Sequence, residues 1–349
     1  MKVVAYSIKP FEKEFLVRAN QKKHDITLIS NPLSLETVAF AEGKDAVVVF
    51  THDDVSAKVV DRLADLGVKY IATRSVGTDH IDAAAAELKS IKLANVPSYS
   101  PRAIAEHTVA LALALNRKII QACKQSHNFD FRLDELIGFN LYDKTVGIIG
   151  LGNTGLATAA IFNGFGCKVI GYDMKEPENP DNIALSSLDK LLSESDIITL
   201  HIPLTSETKY IINKASINLM KDNVMIINTS RGALINTEDI LKAIENGKVG
   251  YLGLDVYEFE KGLFFEDHEQ DQQKDILLKK LMEHPNVLVT PHQAFLTTES
   301  LQQIANQTIT NLDLWQEEKC VGDACICNKN CRAKIAADLI SQNHNHYLP

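Results

Sequence analysis

The chain has 349 residues, 45% of them hydrophobic and 23% charged, which are the proportions of an ordinary globular protein and not of a disordered, collagenous or disulfide-stapled one. That length exceeds what a single compact core usually holds, so two domains are expected. A net charge of −9 offers little attraction to nucleic acid or anionic lipid, and neither is expected as a partner.

Short β-branched runs alternate with helical patterns through most of the chain, the mark of parallel α/β architecture. The first hundred residues predict strands over 2–8, 26–29, 46–50, 70–73 and 92–96, with an amphipathic crossover helix over 55–66. These runs are apolar with little alternation, as strands buried on both faces should be. They make a small doubly wound sheet. The segment Asn95-Val96-Pro97-Ser98-Tyr99-Ser100-Pro101 is held extended by its two prolines and forms a first hinge. Ser100 and Pro101 then suit the N-cap and first position of a helix running to about Gln121. That helix is apolar almost all round over 109–115, so it should be buried between domains or against another subunit.

A second series of βα units predicts strands over 145–149, 168–172, 196–200, 224–228, 251–256 and 287–290. Residues 258–273 read as a long functional loop, polar except for Leu263-Phe264-Phe265, and a helix follows over 298–316. The N-terminal apolar run is too short for a signal peptide, and the longest apolar stretch falls well short of the ~20 residues that span a bilayer. A cytoplasmic, thiol-reducing location is therefore expected. Cys123 and Cys167 read as small buried apolar residues, and His24 as a surface residue. His107 and His201 read as satisfied structural residues. Cys320, Cys325, Cys327 and Cys331 crowd into twelve residues, but their spacing matches neither a paired zinc site nor the common ferredoxin patterns, and no metal is assigned.

The strand over 145–149 runs into Gly150-Leu151-Gly152-Asn153-Thr154-Gly155, with a helical pattern over 156–165. Gly150 allows a tight turn, Gly152 lets the backbone approach a pyrophosphate, and Gly155 lets helix and strand pack closely. Amides at the helix start would hold the phosphate charge. The next strand ends in Asp173, 18 residues after Gly155, where a carboxylate would bind the adenosine ribose and repel a 2′-phosphate. The cofactor expected is NAD rather than NADP.

Four further segments follow or precede this motif in a telling order: Ser75-Val76-Gly77-Thr78-Asp79-His80-Ile81-Asp82, Asn228-Thr229-Ser230-Arg231-Gly232, Leu254-Asp255-Val256-Tyr257-Glu258 and Thr290-Pro291-His292-Gln293-Ala294-Phe295. From about Lys69 to Leu312 the chain resembles the D-isomer-specific 2-hydroxyacid dehydrogenases, and the 259–267 run and Tyr99 resemble the D-lactate branch of that family. The resemblance implies a discontinuous flavodoxin-like substrate domain (1–99 and 298–349) and a Rossmann NAD-binding domain (100–297), hinged near 97–101 and 291–298 and enclosing the substrate in a cleft. It also implies a homodimer or dimer-based oligomer, with the helix after Pro101 as the dimer element.

Carried over position by position, the resemblance implies Arg231, Glu260 and His292 as the catalytic set. Arg231 offers a planar fork for a 2-keto acid's carboxylate. His292 would exchange a proton with the carbonyl oxygen as hydride moves to or from NAD, and Glu260 would orient the imidazole and favour its protonated form. Val76 and Gly77 amides would hold the carboxylate, while Tyr99 and Phe295 line the pocket. Asn153 and Thr154 would join the glycine loop around the cofactor. Ile202, Pro203 and Thr208 are expected near the adenine, Thr229 and Ser230 beneath the nicotinamide, and Asp255 near its carboxamide. The competing readings are a sibling dehydrogenase for a bulkier 2-keto acid and an NAD-sensing corepressor of the same fold. The small 2-keto or 2-hydroxy acid is the only substrate class expected.

Overall fold

The computed structural model describes residues 1–175, 182–271 and 274–326. It divides into two compact units, Met1–Ser100 together with the segment from Thr297 onward, and Pro101–Leu296. The first unit opens with β1 (Lys2–Ala5), α1 (Pro10–Asn20), β2 (Asp25–Leu28), β3 (Ala46–Val49), α2 (Ala57–Asp65), β4 (Tyr70–Thr73), α3 (Ala83–Leu88) and β5 (Lys92–Ala94). The second contains α4 (Pro101–Asn116), α5 (Ile119–His127), β6 (Thr145–Ile149), α6 (Asn153–Gly164), β7 (Lys168–Tyr172), β8 (Ala184–Leu185), α7 (Leu188–Glu194) and β9 (Ile197–Leu200). It continues through α8 (Lys214–Leu219), β10 (Val224–Asn228), α9 (Thr237–Glu245), β11 (Val249–Leu254), α10 (Ile276–Glu283) and β12 (Val287–Val289). The chain then returns to the first unit as α11 (Thr298–Gln316).

The first sheet is parallel with strand order β2-β1-β3-β4-β5, the flavodoxin order. Its strands are apolar on both faces because α2 covers one side and α1 with α11 the other. Val4, Val47 and Ile71 pack with Val59, Val60 and Leu63, whereas Val3, Ala5 and Val48 pack with Leu16, Ile309 and Trp315. Strand β1, expected to reach residue 8, stops at Ala5, and Ser7 takes a left-handed φ of 50°. Arg74, at the end of β4, is buried (2% exposed) and paired to Glu12 of α1 at 2.8 Å. Its guanidinium also donates to the carbonyl of Tyr6, so one side chain ties β4 to β1 and α1.

The second sheet is also parallel, ordered β12-β11-β10-β9-β6-β7-β8, a Rossmann arrangement extended by one strand. The helix expected to run from Pro101 to about Gln121 breaks after Asn116, because Lys118 adopts φ 54° and restarts the chain as α5. The apolar face of α4 is buried inside its own unit, with Val109, Leu111, Ala112 and Leu115 packed among Val146, Ile148, Phe162 and Ile227. The apolar character that suggested burial between domains or against another subunit is thus accounted for within the unit itself, while Arg102, Glu106 and Ala110 of α4 stay exposed. A run of exposed large apolar residues comes just after α5, at Phe129, Phe131, Leu133 and Ile137, each at least 68% exposed.

Two further expectations change. Cys123 is exposed, on a helix none of whose residues is buried, so it is not a core residue. Cys167 is buried; burial pushes its thiol up to about 11, and it donates to the Leu141 carbonyl. His24 is also buried, not superficial, with Nε2 3.1 Å from Asp313. Of the tail cysteines, Cys320 is exposed and Cys325 buried against β5, and Cys327 and Cys331 lie outside the described residues. Among the described residues no helix is long and apolar enough to cross a membrane.

Candidate active site

The glycine loop lies between β6 and α6. Gly150 holds φ 98°, and a Cβ there would sit 2.5 Å from the His201 carbonyl oxygen. A Cβ on Gly155 would come within 1.9 Å of the Gly150 carbonyl oxygen, so this glycine sets how closely helix and strand approach. Gly152 differs: nothing lies within 4 Å of an added Cβ, leaving that face of the loop open. As N-cap of a twelve-residue helix Gly152 has no side chain to cap the first-turn amides, which suits them to an anion. Asp173 ends β7 with one carboxylate oxygen accepting from the Leu151 amide at 2.7 Å and the other from the Lys175 amide at 2.9 Å. An open glycine face, first-turn amides and a carboxylate at the second strand fit the pyrophosphate and ribose of a dinucleotide. Asn153 is exposed and Thr154 half-buried on the first turn of α6.

Opposite, the loop after β9 is shaped by its own side chains. Thr208 is buried, and its hydroxyl donates to the Pro203 carbonyl at 2.7 Å. Ser230 donates to the Ile202 carbonyl at 2.6 Å, tying the β9 and β10 loops together. Thr229 is buried, with Oγ1 2.8 Å from that of Thr108 on α4.

Arg231, Glu260 and His292 follow the carboxyl ends of three adjacent parallel strands, β10, β11 and β12, where open α/β sheets place ligands. Gly232 explains how the first two loops approach: a Cβ on it would lie 2.0 Å from the Tyr257 carbonyl carbon. Only a bare α-carbon lets the Arg231 turn pack flat on the Tyr257–Glu258 peptide. Glu260 is clamped from both sides. Its Oε2 accepts from the Tyr257 amide at 2.8 Å, and its Oε1 lies 2.8 Å from His292 Nδ1. A carboxylate accepts only, so Nδ1 carries the hydrogen and Nε2 is the ring nitrogen whose protonation can change while that bond is kept. The pair is only partly shielded, at 14% and 16% side-chain exposure.

His292 itself sits at φ 54°, a strained conformation for a non-glycine residue. Asp255 holds it there. This fully buried carboxylate accepts from Thr290 Oγ1 at 2.6 Å, the Gln293 amide at 2.9 Å and the Ala294 amide at 2.8 Å, while its backbone oxygen accepts from the His292 amide at 2.7 Å. Its side chain is thus committed to the loop that carries the imidazole. Phe295 packs edge-on to the His292 ring, with centroids 6.4 Å apart. Phe265, which sequence reasoning left inside an apolar patch, tilts over the other side at 5.7 Å. Its only sequence signal is Leu263-Phe264-Phe265 standing in a charged loop.

In the first unit, the β4 end turns into a loop whose carbonyls are pinned from within. Asn95 Nδ2 donates to the Val76 carbonyl at 2.8 Å, and Ser75 Oγ donates to the Gly77 carbonyl at 2.7 Å. Both carbonyls are thereby held by side chains of the same unit. Tyr99 is half-buried on the segment before α4.

Residues 109–294 match the family described as D-isomer specific 2-hydroxyacid dehydrogenase, NAD binding domain. A D-lactate dehydrogenase of Curvularia clavata is 43% identical over 340 residues, covering 96% of this chain and 98% of that protein. An aromatic 2-oxoacid reductase of Clostridium sporogenes is 40% identical over 315 residues, with coverage of 89% and 95%. The solved structure of the pyruvate reductase of Chlamydomonas reinhardtii superposes with a TM-score of 0.86 at 41% identity, over 92% of this chain and 98% of that one.

Proposed function

Because the chain belongs to the D-isomer specific 2-hydroxyacid dehydrogenases, NAD-dependent oxidoreductases of the CH–OH group, we propose that its reaction is the interconversion of pyruvate and D-lactate. The observation that carries the chemistry is the Glu260–His292 pair at 2.8 Å. The printed activities of the relatives, D-lactate dehydrogenase and pyruvate reductase, favour the small substrate over a bulkier one.

Held by the glycine loop, the first-turn amides of α6 and Asp173, a bound nicotinamide cofactor would supply the hydride for the C2 carbonyl, or accept it in the reverse direction. Arg231 binds the substrate carboxylate through its planar fork. In the first unit we assign the Val76 and Gly77 amides and Tyr99 to substrate binding, as the family resemblance implies. His292 holds a proton on Nε2 and gives it to the C2 oxygen, becoming neutral with Nδ1–H still on Glu260. In oxidation Nε2 takes that proton from the alcohol. Phe265 and Phe295 pack against the ring and shield it in part from water, which strengthens its pairing with Glu260.

Around the cofactor, Gly150, Gly152, Asn153, Thr154 and Gly155 take the pyrophosphate and Asp173 the ribose. Ile202, Pro203 and Thr208 would shape the adenine side and Thr229 and Ser230 the nicotinamide side, while Asp255, fully buried, would act there only through the 290–294 loop that it holds.

We further assign the enzyme to the cytoplasm, where the free thiols of Cys123 and Cys167 suit a reducing environment. The assembly is a homodimer, its contact formed by the exposed apolar residues between α5 and β6. The assignment is tested by following NADH oxidation with pyruvate, phenylpyruvate and 2-ketoisocaproate. Highest kcat/KM on pyruvate supports it; highest on either bulkier acid overturns it, and no turnover on any favours an NAD-sensing protein.

A further inference from the structure

Helix α4 carries two neighbouring side chains, His107 and Thr108, that reach the loops bearing Arg231 and His292 from behind. Both contacts lie within the second unit. His107 Nε2 is 3.0 Å from Thr290 Oγ1 and 3.3 Å from Asp255 Oδ1. The Thr290 hydroxyl has one proton and a carboxylate only accepts, so that proton goes to Asp255 at 2.6 Å. The Thr290 oxygen then meets His107 with lone pairs, and His107 Nε2 must be the donor. A directed chain results. His107 Nε2–H donates to Thr290, Thr290 donates to Asp255, and Asp255 accepts the Gln293 and Ala294 amides that directly follow the strained His292.

Thr108 makes the second chain. Its Oγ1 donates to the Ile104 carbonyl at 2.8 Å, which uses its only proton. Thr229 therefore donates to Thr108 across 2.8 Å, two residues before Arg231. Both hydroxyls are buried, with Thr108 fully so, so each bond is made without competition from water. One turn of α4 thus holds the carboxylate-binding loop through Thr108 and the proton-exchanging loop through His107.

We propose that His107 and Thr108 are positioning residues that set, independently, the proton-transfer geometry of His292 and the carboxylate-binding geometry of Arg231. This rests on the roles given above to Arg231 and His292. Neither residue touches substrate in this scheme; each acts through a loop. Losing either should split the kinetic constants in opposite ways, because displacement of an acid by a fraction of an ångström slows chemistry, whereas displacement of a carboxylate clamp weakens binding.

The test is steady-state kinetics of His107→Leu, His107→Gln, Thr108→Val and His292→Gln, each with its melting temperature and NADH affinity measured. His107→Leu should lower kcat about 10- to 100-fold with KM for the keto acid within about threefold. His107→Gln, which keeps a donor near the Nε2 position, should recover most of that loss. Thr108→Val, the same shape without the hydroxyl, should raise KM about five- to tenfold with kcat within about twofold. The proposal is overturned if the His107 and Thr108 variants lower kcat and raise KM in the same proportion, if they track melting temperature alone, or if His107→Gln fails to rescue a folded His107→Leu. A His292→Gln enzyme that keeps full turnover would overturn the catalytic reading instead, so the two failures are distinguishable. Should His107→Leu not fold, the His107→Gln and Thr108→Val pair still decides: unchanged constants in both overturn the proposal.

Discussion

His292 Nδ1 and Glu260 Oε1 lie 2.8 Å apart, and the second oxygen of the same carboxylate accepts the Tyr257 amide at 2.8 Å. The glutamate is therefore fixed by its own loop before it orients the imidazole. Fixing the carboxylate first fixes the tautomer and, in the mechanism proposed, would assign the proton exchange to Nε2 without the reorganisation a mobile glutamate would require.

Arg231→Lys should raise KM for pyruvate much more than it lowers NADH affinity, with kcat/KM falling about 10²-fold or more, because a point charge cannot replace a two-pronged donor. Initial-rate kinetics with NADH and pyruvate varied in turn separate the two effects. A change below about threefold would remove Arg231 from carboxylate binding.

Gly232→Ala places a methyl group about 2.0 Å from the Tyr257 carbonyl carbon, a contact that backbone must give way to relieve. The expected cost is about 1–3 kcal/mol of stability, together with a fall in kcat as the Glu260 loop shifts away from His292. Urea unfolding and kinetics on the same preparation check both; an unaltered enzyme would mean that the Arg231 and Glu260 loops are not packed as described.

Stability should decline on mild acidification. Burial lowers the proton affinity of His201 to about 3, and burial also lowers that of His24 and His284. Below about 6.5 the unfolded chain takes up protons on these imidazoles that the folded chain refuses, so their contribution is whole above that pH and lost as pH falls towards the folded values. For His201 alone the slope is at most about 1.4 kcal/mol per pH unit between about 6.5 and 3. Urea midpoints at pH 7.5, 6 and 5 should fall in that order, and His201→Gln should flatten the decline. A midpoint independent of pH over this range would contradict the lowered proton affinity of His201.

Phe131→Ser with Leu133→Ser should convert a dimer into a monomer, read as mass by light scattering at micromolar concentration. These side chains are 68% and 72% exposed in the single chain, too apolar a surface to remain wet without a purpose. A monomeric parent protein would contradict the assembly.

Much of this architecture is legible in the sequence, for identifiable reasons. Strands such as β10 are continuous apolar runs because both faces are covered, and the glycine loop is legible because Gly150 and Gly155 have no room for a side chain. Other features depend on tertiary partners that local pattern does not encode. Helix α1 is largely charged on the outside, and its buried Glu12 makes sense only through Arg74, sixty-two residues away. The break between α4 and α5 falls on Lys118, a residue type that gives no sign of its left-handed backbone. Apolarity of α4 shows that it is buried but not by what, and the packing partners emerge only with β6, α6 and β10 in place. Asp255 is visible as a strand-end acid, yet its commitment to the 290–294 loop emerges only when β11 and β12 pair. Phe265 takes its place beside His292 from a loop of no regular structure.

The most direct measurement is the rate of pyruvate reduction by the parent enzyme and by His292→Gln under saturating NADH, with NADH affinity determined separately by fluorescence. The expected result is turnover by the parent and a loss of about 10²–10⁴-fold in kcat for the variant, with NADH binding unchanged within about threefold. A variant that keeps turnover within a few-fold of the parent would contradict proton exchange through His292.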